Sequence, residues 1–146
     1  MAFFIFIILF FIHTIMSNLK KAKAALKKYF GYSSFRPQQA EIIESILAKQ
    51  DTLAIMPTGG GKSICFQVPA ILFDGLTIVL SPLIALMQDQ VQALKANGIS
   101  AEFLNSSLSI DEQREIAQKL TNNEIKLLYI SPERLLTDSF FDFLEK

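Results

Sequence analysis

The chain has 146 residues, 51% apolar and 19% charged, with 14 Lys+Arg balancing 14 Asp+Glu. That length suits one domain, and the apolar content excludes a disordered tail or activation region. A single cysteine, Cys65, and a single histidine exclude a disulfide framework and a zinc site built from this chain alone, and they fit a reducing intracellular compartment. Neutrality hides an asymmetry. Residues 1–50 carry seven positive and two negative charges, net +5, and residues 51–146 carry seven positive and twelve negative, net −5. A basic end suits a polyanionic partner, and a solvated helix face explains the lysines equally well.

Residues 2–12 form an uninterrupted run of Ala, Phe, Ile and Leu. A membrane-spanning helix needs about 20 apolar residues, and this run is shorter. No basic residue precedes it and no small-residue cleavage pattern closes it, unlike a secretory signal. Met16-Ser17-Asn18-Leu19 reads as an ordinary cytoplasmic start. Residues 1–15 are therefore read as an apolar leader from a misplaced start, with a membrane anchor or a signal peptide as alternatives. Residues 16–146 form the domain.

Leu19, Ala22, Leu26, Tyr29 and Phe30 have helical spacing with lysines between them, and Gly31 ends that helix. Pro37 starts the next, with Ala40, Ile43, Ile46 and Leu47 as its stripe. Residues 52–56 read as a short strand buried on both faces. Residues 57–61 are a loop, and Lys62 opens a helix to about Leu72. Residues 76–80 read as a second buried strand. Ser81 and Pro82 read as the cap and first residue of a helix carrying Leu83, Leu86, Met87, Val91 and Leu94 on one face. Asn97-Gly98 stops it. Residues 101–104 are a third strand, Ser109 and Glu112 a capping box opening a helix to Leu120, and residues 126–130 a fourth strand. Ser131-Pro132 repeats the Ser-Pro cap. Strands alternating with helices predict an α/β fold with a parallel sheet covered on both faces.

The strongest local signal is Met56-Pro57-Thr58-Gly59-Gly60-Gly61-Lys62-Ser63. It matches the end of the phosphate-loop pattern Gly-x-x-x-x-Gly-Lys-Ser/Thr, with Met56 in place of the first glycine. Three glycines let the backbone approach a polyphosphate, and a helix start adds the positive end of its dipole. Lys62 suits the β- and γ-phosphates, and the Ser63 hydroxyl suits Mg²⁺. Cys65 is expected to pack rather than react.

From residue 19 onward the chain resembles the RecQ family of superfamily 2 DNA helicases. Phe30-Gly31-Tyr32 with Phe35-Arg36-Pro37-Gln38-Gln39 resembles its motif 0, and the phosphate loop resembles its motif I, Met56 included. Residues 80–91 resemble motif Ia, and Leu104-Asn105-Ser106 and residues 129–135 resemble later segments. The resemblance implies an incomplete RecA-like P-loop domain and a 3′–5′ DNA helicase using ATP and Mg²⁺. It implies that Tyr32 stacks on adenine, Arg36 contacts the base or phosphates, and Gln39 hydrogen-bonds the adenine edge. Thr58, Gly59, Gly60, Gly61, Lys62 and Ser63 would hold the phosphates, with Lys62 catalytic and Ser63 the metal-side residue. Ser81, Pro82, Leu83, Asn105, Ser131 and Arg134 would contact single-stranded or partly duplex DNA. A cytoplasmic location, nucleoid-associated in a bacterium, goes with that function, and a membrane role is disfavoured.

The sequence contains no Asp-Glu-Ala-His or other Walker B pair. Asp138, Asp142 and Glu145 follow the fourth strand by too much to replace it. Phosphoryl transfer needs metal and arginine charge in place. The chain alone is therefore expected to bind nucleotide weakly and not to unwind DNA. The alternative expectation is a non-catalytic nucleotide- or DNA-binding remnant.

Overall fold

The computed structural model describes residues 18–137. The leader at 1–15 and the carboxylates Asp138, Asp142 and Glu145 lie outside them. The chain divides into two compact units, Met1–Phe73 and Asp74–Lys146.

In the first unit, helix α1 occupies residues 18–25 and widens into a π-helical segment, Leu26–Phe30. Gly31 closes it at φ 75°, and its N–H donates to the Lys27 carbonyl at 3.2 Å. Glycine takes that left-handed geometry without a Cβ clash. Helix α2, Pro37–Leu47, has proline at its first position, and α3 spans Lys62–Leu72. Ala22, Ala25 and Leu26 of the first helix bury against Ile43 of α2 and Val68 of α3, ringed by Tyr29, Phe30, Phe35, Leu47, Ile64 and Leu72. Burying a side chain the size of Leu26, Ile43 or Val68 contributes about 1.5–3 kcal/mol.

The strand expected at residues 52–56 does not form. Those residues are non-regular, with Leu53 91% and Ile55 88% exposed. An extended segment becomes a strand only when neighbours take its N–H and C=O groups, and none pairs with it among the described residues.

In the second unit, β1 (Thr77–Leu80), β2 (Ala101–Leu104) and β3 (Leu127–Ile130) form a parallel sheet in the order β1-β3-β2. Thr77 and Ala101 both lie opposite Leu127, and Leu80 and Leu104 both lie opposite Ile130. Flanked on both edges, β3 is buried throughout. Its side chains alternate between faces. On one face Tyr129 Oη donates to Gln90 Oε1 of α4 (Ile84–Ala96) at 2.9 Å. On the other, Leu128 and Ile130 pack with Leu104, Ile125 and Ile116 of α5 (Ile110–Thr121). A short helix α6, Pro132–Leu135, follows with Ser131 as its N-cap residue. The parallel sheet with helices on both faces is thus an α/β fragment of the RecA-like kind.

Two expectations for this unit need correction. β1 is only half buried: Leu76, Ile78 and Leu80 are exposed. Ile78 and Leu80 share a face with Leu128 and Ile130, but the α5 core draws on β2 and β3 and includes nothing from β1. Helix α4 starts at Ile84 rather than Pro82, because Leu83 holds an extended backbone at φ −109°, ψ 100°. The stripe therefore splits: Met87, Val91 and Leu94 are buried, and Leu83 and Leu86 are exposed.

Charge ties the helices to β2. Glu102 pairs with Lys95 of α4 at 2.7 Å and with Lys119 of α5 at 3.1 Å, and Lys119 also meets Glu115 at 2.7 Å. The capping box forms as expected. The Ser109 N–H and hydroxyl donate to Glu112 Oε2 at 2.8 and 2.7 Å, and the Glu112 N–H donates to Ser109 Oγ at 3.3 Å. These bonds hold the Glu112 carboxyl below the usual carboxylate range, the Ser109 hydroxyl first. A depressed pKa contributes stability above the unfolded value that is lost as pH falls through the folded one. Glu112→Gln should therefore flatten the acid limb: between about pH 5 and pH 3 the wild type loses stability to urea more steeply than the variant. Parallel limbs would show that the box contributes nothing to acid sensitivity.

Candidate functional site

Residues 57–61 turn the chain into α3. Gly59 and Gly61 sit at φ 77° and 80°. The Gly60 N–H donates back to the Pro57 carbonyl at 3.1 Å, and a Cβ at Gly60 would lie 2.9 Å from that oxygen. The glycines are thus required by conformation at Gly59 and Gly61, and by space at Gly60 and Gly61.

Side chains from outside hold the loop by its carbonyls. Arg36 Nη1 donates to the Gly59 oxygen at 2.6 Å, and Gln39 Nε2 donates to the Gly61 oxygen at 3.1 Å. Lys62 Nζ donates to the Met56 and Pro57 oxygens at 3.1 and 3.0 Å. The Gly61 oxygen also accepts the Ile64 N–H at 3.2 Å, which starts α3. A trans peptide whose C=O is held one way points its N–H the other way, so the hold on the Gly61 oxygen directs the Lys62 N–H. Among the described residues the N–H groups of Gly59, Gly61 and Lys62 have no protein acceptor. They lie in the loop and at a helix start, where backbone donors suit an anion.

Gln39 is placed by α2. It is 5% exposed and lies one turn before buried Ile43 on the same face. Its Oε1 accepts the Arg36 N–H at 2.9 Å while its Nε2 serves Gly61. Exchanging oxygen and nitrogen would set donor against donor, so the amide orientation is determined. One amide hydrogen and one carbonyl lone pair remain for a further partner. Arg36 and Lys62 are exposed, and Tyr32 is 60% exposed just beyond Gly31. Thr58 is exposed, and Ser63 is half-buried in the first turn of α3. Cys65 packs as expected, with Sγ 3.8 Å from Met56 Sδ. Burial pushes its thiol pKa up, away from the reactive thiolate. The loop carbonyls as acceptors for Lys62 and Arg36 had no sequence signal, because every residue type carries the same backbone oxygen.

The second unit gathers its expected residues where the strands end. Asn105 and Ser131 directly follow the paired positions Leu104 and Ile130, and both are buried. Asn105 Oδ1 accepts the Ser107 N–H and hydroxyl at 2.9 and 2.7 Å, and its Nδ2 has no partner among the described residues. The Ser131 hydroxyl has no partner at hydrogen-bonding length either, though it lies near enough to Glu133 to lower that carboxyl's pKa. Arg134 donates to Gln113 Oε1, and Gln113 Nε2 donates to the Leu108 carbonyl, which ties α6 to α5. Ser81 Oγ accepts the Leu83 N–H at 3.4 Å, and Pro82 and Leu83 face solvent.

The loop's cradle and its cationic and amide donors fit a nucleotide polyphosphate. Gly61→Ala would force a side chain into the left-handed region and against Gln39 Nε2. Strain of about 1–3 kcal/mol there should weaken binding of a fluorescent ATP analogue by about tenfold or more. Unchanged affinity in a folded variant would contradict the geometry.

Comparison with known proteins gives the chain its family. The DEAD/DEAH box helicase family model matches residues 36–145. An ATP-dependent DNA helicase RecQ of Haemophilus influenzae is 54% identical over 123 residues, 84% of this chain and 20% of that protein. The RecQ of Bacillus subtilis is 50% identical over 128 residues, 87% of this chain and 22% of that protein. The mouse ATP-dependent DNA helicase Q1 is 42% identical over 123 residues, 83% of this chain and 19% of that protein. The chain spans about a fifth of the length of these curated relatives. It belongs to the DEAD/DEAH box helicases, in their RecQ group.

Proposed function

We propose that this chain is the nucleotide-binding part of an ATP-dependent 3′–5′ DNA helicase that uses Mg²⁺. The observation that carries the reading is the convergence of Arg36, Gln39 and Lys62 on one glycine loop. The names of the relatives support ATP and DNA as its ligands.

In this reading the loop from Thr58 to Gly61 presents backbone donors to the phosphates. The Lys62 ammonium, now donating to two neutral carbonyls, turns to the β- and γ-phosphates, because an anionic acceptor attracts it more strongly than a neutral one. Ser63, in the first turn of α3, would hold Mg²⁺ through its hydroxyl, and the metal would supply charge neutralisation there. Tyr32 stacks on the adenine, and Arg36 contacts the base or phosphates. Gln39 reads the adenine edge with the hydrogen and lone pair left on its amide while it keeps hold of Gly61.

Ser81, Pro82, Leu83, Asn105, Ser131 and Arg134 contact the backbone of single-stranded or partly duplex DNA. The buried donor on Asn105 supports this, since a buried polar group without a partner costs about 1–3 kcal/mol that a ligand oxygen relieves. Such contacts position the strand without reading its sequence. The protein acts where the DNA is, in the cytoplasm, and at the nucleoid if the cell is bacterial. No helix among the described residues is long and apolar enough to cross a membrane.

Base reading and phosphate binding separate in one experiment. MgATP should bind more tightly than MgGTP, and Gln39→Ala should bring the ratio of the two affinities towards one. Lys62→Ala should weaken both by about tenfold or more and leave the ratio unchanged. Wild-type affinity in Lys62→Ala would contradict the assignment.

A further inference from the structure

Helix α1 carries a charged surface that the loop chemistry does not use. Lys20, Lys23 and Lys27 follow one another at three- and four-residue steps and form a row along the helix. Lys21 and Lys28, seven residues apart, form a second row beside it. All five are exposed. Their direction is fixed, because Ala22, Ala25 and Leu26 are buried against Ile43 and Val68. Among the described residues no ion pair engages any of the five. Lys28 Nζ lies 4.7 Å from the centre of the Tyr29 ring, a contact that leaves its charge unneutralised. Eight positive charges face three negative ones over Met1–Phe73, so nearby carboxylates do not balance the face.

We infer that this lysine face binds the phosphate backbone of DNA, as an anchor contributed by the first unit in addition to the strand-end residues of the second. The inference rests on the DNA-helicase reading for the identity of the polyanion. Like charges crowded within about two turns of helix repel one another, and a polyanion relieves that repulsion and releases its own counterions. From Lys20 to Lys27 the helix rises about 10 Å, a length over which duplex DNA carries about six phosphate charges. Lysines are mobile point charges, which suits binding indifferent to sequence.

The test measures binding of the full chain to a labelled 20-base-pair duplex by fluorescence anisotropy at several salt concentrations. The triple variant Lys20→Gln, Lys23→Gln, Lys27→Gln should bind about tenfold or more weakly at 50 mM salt. The slope of log affinity against log salt should fall by about one unit per lysine removed. The matching triple Lys→Arg variant should restore both, and MgATP affinity should be the same in all three proteins. An unchanged slope in the Gln variant overturns the inference. So does a variant that loses binding to phosphatidylserine vesicles but keeps its DNA affinity, which would assign the face to a membrane surface. A chain that binds MgATP but no DNA overturns the inference and leaves the nucleotide site standing. A chain that binds neither overturns both.

Discussion

The geometry of the site depends on the hydrogen bond from Gln39 to the Gly61 carbonyl. Gly61 sits in the left-handed region, and glycine loses more conformational freedom on ordering than any other residue. The Gln39 amide offsets part of that loss, and the same oxygen takes the Ile64 N–H that begins α3. Gln39 can do this because Ile43, one turn later on α2, is buried against Val68 of α3. The core of three helices therefore sets the position of the amide, the amide sets the peptide, and the peptide sets the direction of the Lys62 N–H. Arg36 on Gly59 and Lys62 on Met56 and Pro57 fix the rest of the loop's backbone.

The two units solve different problems with opposite charge. The first, net positive, gathers donors: an ammonium, a guanidinium, an amide and a helix start. The second, net negative, builds a sheet whose central strand is wholly buried and whose helices are pinned by Glu102 between Lys95 and Lys119. At the strand ends it holds Asn105 with a donor still unmatched. Leaving that donor unmatched is unfavourable for the unit alone, by about 1–3 kcal/mol.

What the sequence made legible follows from the range of each interaction. Gly31, Pro37, the Ser109–Glu112 box and the start of α3 appear where the residues place them, because caps and left-handed glycines are decided within about four residues. The central strand β3 is legible too, since a fully apolar run flanked on both edges buries on both faces. Residues 52–56 look equally apolar, yet a strand depends on partners distant in the chain, and no local pattern encodes them. The same reason exposes Ile78 and Leu80 of β1. Leu83 departs from the expected helix because its extended backbone delays the first turn to Ile84. At the site, the glycines, Lys62 and Gln39 were legible by type. Their common target, the loop's carbonyl oxygens, was not, because backbone atoms leave no mark in a sequence.

Backbone amide hydrogen exchange over residues 57–64, with and without MgATP, tests the central claim most directly. If the held Gly61 carbonyl aims the Lys62 N–H at a polyphosphate, saturating MgATP slows exchange at Lys62, and Gln39→Ala abolishes that protection. Exchange at the Lys62 amide that is unchanged by saturating MgATP would contradict the account.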